Sequence, residues 1–365
     1  MRESHLRFTR PLILIVSVWL ASCPFLSGAP AANWSSSPDL PTDLVRATGV
    51  YFPANGRFYA MGGRMSDTVG ADMTTPYEYN PKTNTWAFKT APFPDNQVSN
   101  MACGVLTVGG KPCIYCVGGT SAGGTTAATR RVFRYDPATD TIQTAGLDPW
   151  SESAPDSLPG GFAVVQNKLY ILGGLTVGNA ATNRIFEFSP GNSLGSQWTQ
   201  KAATLPIALS FVPATAIGNL IFTAGGSTFT PCTLTETDNS YVYDPAADSI
   251  APIAKIPRAT GETRALTVGN EMWVLGGGRT VSDRSTEVNI YNPVTGQWRV
   301  GLPFSTGQRN FAADSDGARV FLAGGYNSVT LPLKTTQVYR DISRFSSSSI
   351  LVPAAGTEKD SRARP

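Results

Sequence analysis

The feature that most constrains this chain is a pair of adjacent glycines that recurs six times, each time after a short apolar run. The second glycines of successive pairs lie 56, 55, 52, 51 and 48 residues apart. A period of this length indicates a repeat architecture rather than independent domains. An aromatic residue follows each pair, and in five repeats a proline and then a Trp or Ile follow the aromatic. The pairs are Gly62-Gly63, Gly118-Gly119, Gly173-Gly174, Gly225-Gly226, Gly276-Gly277 and Gly324-Gly325.

Each repeat predicts four short strands. A first apolar strand leads into a dipeptide favoured in tight hairpin turns, such as Gln166-Asn167. The second strand is an unbroken apolar run up to the glycine pair, which is typical of a strand covered on both faces. A third strand ends at the aromatic residue, and the Trp or Ile marks the fourth. The glycine pair is therefore interpreted as the end of a buried strand rather than as a phosphate-binding loop.

The repeated combination of glycine pair, Tyr-x-Pro and Trp resembles the Kelch-repeat β-propeller family, within the galactose-oxidase-like/Kelch superfamily. The resemblance implies an all-β fold, a six-bladed β-propeller of four-stranded antiparallel blades, over residues 32–345. The radial arrangement of blades also follows from the need to cover both faces of each sheet. One sheet of about 50 residues cannot cover both of its faces, whereas sheets stacked radially cover one another.

The sixth repeat is incomplete, because Tyr339 is not followed by the proline and tryptophan seen elsewhere. An unmatched Trp34 lies 29 residues before Gly63, within the spacing of 27 to 33 residues found in the other repeats. We therefore predict that the N-terminal strand around Trp34 closes the sixth blade. The alternative is that Phe345 supplies that strand. Residues 346–365 are predicted to be a disordered tail.

The N-terminus predicts export. Arginines precede an apolar run from Leu12 to Ala21, and Ala29-Pro30-Ala31 offers a cleavage site. We predict a signal peptide over residues 1–31 and a secreted or periplasmic, cell-envelope location. The residues ending at Cys23 also resemble a lipobox, so lipidation of Cys23 is the alternative and would be the chain's one link to a membrane.

Four cysteines follow the signal peptide. If Val108 pairs with Lys111 in a hairpin, Cys103 and Cys116 lie opposite each other, so we expect a disulfide or buried thiols there. Cys113-x-x-Cys116 has no second cysteine pair at zinc-binding spacing, and no metal site is predicted.

Charge and histidine content exclude several classes of function. The formal net charge is +3 with no basic block, so no nucleic-acid partner is expected. The single histidine, His5, lies in the signal peptide. Copper oxidases of the galactose oxidase type bind copper through imidazole, so that activity is excluded and no cofactor is predicted. Catalysis by Ser-His-Asp or Cys-His groups is excluded for the same reason.

The resemblance also implies where a ligand would bind. In Kelch propellers the loops after the glycine pairs and the loops before the first strands lie on one face, around a central channel. Arginine is abundant in these loops and suits carboxylate or phosphate, which favours an anionic ligand. Alternatively, the arginines cap strand-end carbonyls or pair with acids between blades. The candidate ligand-binding residues of the rim are Arg46, Arg64, Asn100, Arg264, Arg279, Arg309, Asn310, Tyr326 and Asn327.

We expect a monomeric, non-enzymatic module that presents this rim to a protein, peptide or glycan ligand. The alternative is a metal-free carbohydrate-active enzyme resembling bacterial sialic-acid epimerases, with Glu262 as the candidate acid/base. The enzyme requires Glu262 and two or more arginines to converge in a concave channel mouth. The binding module requires a broad apolar or aromatic face near Tyr326.

Overall fold

The computed structural model describes residues 33–123, 127–152, 157–178, 180–230, 233–278 and 285–340. The predicted signal peptide, Cys23, Arg279, Phe345 and the predicted tail lie outside these residues. Every regular element within them is a β-strand, and they contain no helix that could cross a membrane. The strands are β1 (Asn33–Ser37), β2 (Thr48–Phe52), β3 (Arg57–Met61), β4 (Tyr77–Asn80), β5 (Thr85–Phe88), β6 (Ala102–Val108), β7 (Lys111–Val117), β8 (Val132–Asp136), β9 (Thr141–Gln143), β10 (Ser157–Val165), β11 (Lys168–Thr176), β12 (Ala181–Phe188), β13 (Trp198–Thr204), β14 (Ala214–Ile217), β15 (Leu220–Ala224), β16 (Ser227–Thr230), β17 (Thr233–Glu236), β18 (Ser240–Asp244), β19 (Ser249–Pro252), β20 (Arg264–Val268), β21 (Glu271–Leu275), β22 (Val288–Asn292), β23 (Gln297–Val300), β24 (Ala312–Ser315), β25 (Arg319–Ala323) and β26 (Thr336–Arg340).

These strands form six four-stranded antiparallel sheets, which are the blades of a β-propeller. Blades one to three are β2–β5, β6–β9 and β10–β13. Blade four is β14, β15, β18 and β19, and the ribbon β16–β17 follows its glycine pair. Blade five is β20–β23. The six-bladed, all-β fold predicted from the repeats is confirmed.

The sixth blade is closed by the N-terminal strand, as predicted. Its order is β1, β26, β25, β24, and Trp34 lies opposite Tyr339 in an antiparallel register. The buried Trp34 ring is 5.5 Å from that of Phe304, and its indole N–H donates to the Leu302 carbonyl at 2.9 Å. Both ends of the described chain therefore belong to one sheet, which joins the first blade to the last.

The first strand of each blade lies nearest the axis, and these six inner strands contact one another in a closed ring. Close approach demands small residues here. A Cβ atom on Gly49 would lie 2.4 Å from the backbone nitrogen of Ala313 in the neighbouring blade. The inner strands consequently surround a narrow channel rather than a wide pore.

The recurring Tyr has a structural role in the turn between the third and fourth strands. The hydroxyl of Tyr135 donates to Asp140, and that of Tyr243 donates to Asp248, both at 2.9 Å. Both aspartates have positive φ, 50° and 47°, and the hydrogen bonds hold this unusual conformation. Blade three differs from the prediction at one point, because β11 continues through Gly173-Gly174. It does so because the longer β10 extends the pairing, with Pro159 opposite Gly174.

Candidate functional site: the channel mouth

Five residues at matching places in five blades surround the mouth of the channel. Each lies two or three residues before an inner strand and has a left-handed backbone, with φ between 50° and 61°. Non-glycine residues adopt this conformation rarely, and such residues cluster at functional sites. We call this set the mouth ring. Its members are Arg46, Asn100, Phe211, Glu262 and Asn310.

Backbone hydrogen bonds connect neighbouring members of the mouth ring. The N–H of Asn310 donates to the carbonyl of Glu262 at 2.7 Å, and the N–H of Arg46 donates to that of Asn310 at 2.8 Å. The N–H of Asn100 donates to the Arg46 carbonyl at 2.9 Å. Blades five, six, one and two are thereby linked at their loop ends. These bonds satisfy backbone groups that the left-handed turn removes from the sheets, which explains why the conformation persists.

The mouth ring lines a small cavity of about 70 Å³. Phe162 and Arg264, both on inner strands, contribute to its floor. Blade three contributes Pro159, Gly160 and Phe162, so its share of the lining is apolar. The cavity combines aromatic walls with cationic, amide and carboxylate groups, and most of its polar groups come from the mouth ring.

Glu262 is buried and paired within its own chain. Its side-chain Oε2 accepts hydrogen bonds from Arg309 Nη1 and, at 3.0 Å, from Asn310 Nδ2. Arg309 is also buried, so the two form a buried ion pair at the edge of the mouth. Removing one member of such a pair strands an uncompensated charge. Glu262 thus has a structural role that does not require any substrate.

Tyr326 lies between two guanidinium groups and is buried. Arg46 Nε donates to its hydroxyl at 3.2 Å, and the Arg309 guanidinium lies 4.6 Å from its ring centre. The Tyr326 hydroxyl donates to Asp67 at 2.7 Å, which joins the loops of blades six and one. Burial lowers the pKa of Arg46, but Tyr326, Glu262 and Asp67 outweigh burial and raise it. Arg46 therefore stays charged beside the cavity.

Arg64 and Asn327 are also engaged by their own loops. Arg64 is buried, with Nη2 at 2.5 Å from Asp67 Oδ1 and Nη1 donating to the Ser121 carbonyl at 3.2 Å. Burial raises the pKa of Asp67, but the Tyr326 hydrogen bond and the charges of Arg64 and Arg46 outweigh it and lower that pKa. Asn327 Oδ1 accepts from the N–H groups of Val329 and Leu331, which shapes the loop.

Arg264 has a different setting from the other rim candidates. It begins inner strand β20, so its side chain points into the channel below the mouth. Its guanidinium stacks on the Phe162 ring at 3.9 Å, and its Nε is buried without a hydrogen-bond partner. Burial lowers the pKa of Arg264 to about 10, although Asp314 opposes this shift.

The cysteines are placed on inner and second strands. Val108 pairs with Lys111, and Cys103 lies opposite Cys116, with which it forms a disulfide at a Cα separation of 4.2 Å. Cys113 is a buried free thiol. Cys232 lies outside the described residues. Within the described ranges no cluster of three metal-ligating side chains occurs.

Exposed apolar side chains stand at the tips of two adjacent rim loops. In the blade-one loop, Met65 is 40 % and Val69 is 79 % exposed. In the blade-six loop, Val329 is 66 % and Leu331 is 58 % exposed. We call these four residues the apolar rim. Although Tyr326 itself is buried, its neighbours provide the kind of apolar surface that protein partners cover.

Two aromatic residues of the site were missed by reasoning from the sequence. Phe211 occupies the same position as Arg46 and Glu262, just before an inner strand, and Phe162 lies on inner strand β10. The sequence signal for Phe211 was its position in the repeat. Like the other mouth-ring residues, it comes just before the first strand of a blade, and the residue before it pairs with the residue after the second glycine. Because Phe211 is apolar, it does not belong to the charged and polar rim residues predicted from the sequence.

Comparisons with known proteins find Kelch-like relatives. The chain is 26% identical over 254 residues to "Kelch-like protein terF" of Aspergillus terreus, an alignment that covers 67% of this chain and 52% of that protein. It is 28% identical over 163 residues to "Kelch-like protein 35" of Mus musculus, covering 44% of this chain and 24% of that protein. The chain therefore spans about half the length of the first relative and about a quarter of the second.

A solved structure described as "Structure of YjhT" matches the fold with a TM-score of 0.62 at 15% identity, covering 82% of this chain and 95% of that chain. No protein-family model matches the chain. The sheets and their order define the class, a six-bladed β-propeller. The repeats and the two Kelch-like relatives support a Kelch-repeat propeller family for this chain. This fold suggests a protein-binding module.

Proposed function

We propose that the chain is an exported binding module that docks a protein or peptide on the apolar rim and receives an acidic side chain of that ligand in the mouth ring. The size of the mouth carries the proposal. Pockets that enclose small molecules usually measure about 300–1,000 Å³. The mouth cavity, at about 70 Å³, matches a single carboxylate-bearing group.

The charges of the mouth favour an anion. Arg46 and Arg264 both line the cavity, whereas the Glu262 charge is opposed by Arg309. The Asn100 side-chain amide, for which the described residues provide no hydrogen-bond partner, can donate to a bound carboxylate. Arginine binds carboxylate with two parallel hydrogen bonds where its terminal nitrogens are accessible.

The apolar rim supplies the second half of the docking surface. A charged contact alone gives modest affinity, because surface ion pairs contribute about 0–1 kcal/mol. Burying Met65, Val69, Val329 and Leu331 under a partner adds the hydrophobic contribution that interfaces depend on. An acidic residue flanked by apolar residues is the ligand chemistry that fits both parts.

Selection from a phage-displayed peptide library tests this proposal. We expect wild-type protein to enrich sequences with Asp or Glu beside apolar residues, and Arg46→Gln to lose that enrichment. The matched control is Arg134→Gln, because Arg134 bonds Gln143 on blade two, away from the mouth. Equal enrichment by wild type and Arg46→Gln contradicts the proposal, and binding to a glycan panel alone would favour a glycan ligand.

A second candidate is the metal-free carbohydrate-active enzyme, and one observation favours it. Glu262 lines the same cavity as Arg46 and Arg264, so an acid/base group and two cations converge there. Its test is anomeric exchange of acidic sugars, including sialic acid, followed by NMR. Acceleration by wild type that Glu262→Gln abolishes would establish the enzyme, and rates equal to buffer would remove it.

Export rests on the N-terminal sequence, and the Cys103–Cys116 disulfide supports it because disulfides persist in oxidising compartments. Mass spectrometry of the mature protein tests this. A chain that begins at Ala32 is the expected result. A lipid on Cys23 would replace the secreted form with an anchored one, and an intact Met1 would contradict export.

A further inference from the structure

A second and larger cavity lies in the channel below the mouth. It measures about 260 Å³ and is lined by all six inner strands. Arg264 and Phe162 line both cavities, so they form the boundary between them. Asp314, Thr215 and Thr267 give the lower cavity, which we call the channel cavity, a polar wall.

The polar groups of the channel cavity are satisfied unequally. Asp314 accepts hydrogen bonds from the N–H groups of Tyr51 and Ser315, at 2.7 and 2.8 Å. Thr215 and Thr267 bond each other at 2.8 Å. The Arg264 guanidinium, in contrast, has no hydrogen-bond acceptor or ion-pair partner within the described part of the chain, and its Nε is buried. A half-buried cation without a protein acceptor is costly, and a bound anion lowers that cost.

The geometry of Arg264 suits an oxyanion. Packing on the Phe162 ring, with the guanidinium carbon 3.9 Å from the ring centre, restricts the Arg264 guanidinium where it lines the channel cavity. A planar, oriented guanidinium can present two parallel N–H groups to a carboxylate, sulfonate or phosphate. We propose that the channel cavity is an anion site, in which a small oxyanion binds to the edge of Arg264. This site is separate from the mouth ring and does not depend on a protein ligand.

Asp314 makes this site sensitive to pH. Burial raises the pKa of Asp314 to about 6, and Asp316 acts in the same direction, while the Tyr51 and Ser315 N–H groups and Arg264 oppose it. Above that pH the carboxylate repels an anion in the same cavity. Below it the neutral acid does not, so oxyanion affinity should increase as the pH falls. Unit charges several ångströms apart at an effective dielectric constant near 20 predict an effect of about tenfold or more.

Calorimetric titration with methanesulfonate tests the proposal, because this anion keeps its charge across the range. We expect wild type to bind about tenfold more tightly near pH 5 than near pH 7.5. Arg264→Gln should lose binding at both values. Asp314→Asn should bind at both with equal affinity, and it decides the question even if Arg264→Gln fails to fold. The control Arg134→Gln, which changes an arginine that contacts Gln143 on blade two, should bind methanesulfonate as wild type does.

Two results would overturn the proposal: no binding by wild type, or unchanged binding by Arg264→Gln. Retained pH dependence in Asp314→Asn would remove the role assigned to that carboxylate. Loss of binding in Arg46→Gln alone would move the anion to the mouth ring. Arg46 lines only the mouth cavity and Asp314 lines only the channel cavity, so Arg46→Gln tests the proposed function and Asp314→Asn tests the channel cavity, and failure of one leaves the other distinguishable.

Discussion

Glu262 and Arg309 form a buried ion pair at the mouth. Replacing Arg309 by Leu leaves the Glu262 carboxylate buried without its counter-charge, and we expect a loss of about 3–5 kcal/mol in unfolding free energy. Adding Glu262→Gln should recover part of it, because a neutral amide needs no counter-charge. Urea denaturation measures the loss of unfolding free energy in Arg309→Leu and its recovery in the double variant.

The control for that pair is Arg134→Leu, which removes an arginine from an exposed contact with Gln143 and should cost no more than about 0.5 kcal/mol. If the double variant is less stable than Arg309→Leu alone, the pair does not have the electrostatic role assigned here.

The raised pKa of Asp314 predicts how the stability of the protein depends on pH. Its pKa is raised to about 6 in the folded protein, so the native state binds this proton more tightly than the unfolded chain. The contribution is therefore fully present below the ordinary pKa of an aspartate, near pH 4, and is lost as the pH rises through about 6. A difference of about two units between the pKa of Asp314 in the folded and unfolded states corresponds to at most about 3 kcal/mol in unfolding free energy. Asp314→Asn should lack this component in denaturation curves measured from about pH 4 to 7, and an unchanged pH profile would contradict the assignment.

At the residue scale, the sequence predicted where the site residues lie better than it predicted what their side chains contact. Arg46, Asn100, Glu262 and Asn310 were named from their place before inner strands, and the structure brings all four to one cavity. That Arg64 and Tyr326 are buried could not be foreseen, because burial here depends on contacts between blades. Arg64 contacts Ser121 of blade two, and Tyr326 of blade six contacts Asp67 of blade one, 259 positions away in the sequence.

Outside blade three, the glycine pairs follow the ends of second strands, where neighbouring backbones approach closely. Gly62 has φ of 65°, and a Cβ atom there would lie 2.2 Å from the Val98 carbonyl oxygen in the next blade. Gly62→Ala must therefore displace backbone as well as adopt a strained conformation. We expect a loss of at least about 3 kcal/mol in unfolding free energy.

Gly110→Ala is the matched comparison for Gly62→Ala. Gly110 also has positive φ, 76°, but a Cβ atom there meets no other atom within 4 Å. Gly110→Ala should lower the unfolding free energy by only about 1 kcal/mol, because it strains the backbone conformation without a steric clash. Similar losses for the two variants in chemical denaturation would show that close approach between blades is not the reason for the glycine pairs.

At the scale of elements, the repeat predicted nearly every strand because each blade repeats the same burial pattern. The ribbon β16–β17 was not predicted, since it occurs in one blade only and internal repetition gives no signal for it. The extension of β11 through its glycine pair was missed for a similar reason. It depends on the unusual length of β10, its partner strand.

At the scale of the molecule, stability depends on closing the ring. Trp34 contacts Phe304 and Tyr339 and is 6 % exposed, so Trp34→Ala removes buried contacts that hold the first strand in the last blade. We expect a loss of about 3–5 kcal/mol in thermal or urea unfolding. Phe88→Ala, at a side chain that is 59 % exposed on an outer strand, is the control, and an equal loss there would contradict a special role for closure.

Closure also positions the functional site. Arg46 lies between the N-terminal strand β1 and the first strand of blade one, and its contacts with Asn310 and Tyr326 exist because the sixth blade lies beside the first. The mouth is thus assembled from residues at opposite ends of the chain. A ligand that binds there would stabilise the closed ring by mass action.

We propose that Arg46 binds an acidic group of a protein ligand at the mouth. The most direct measurement is a double-mutant cycle on a library-selected peptide, comparing its acidic residue with the matching amide on wild type and on Arg46→Gln. We expect a coupling free energy of about 1.5 kcal/mol or more between the two groups. A coupling indistinguishable from zero would contradict it.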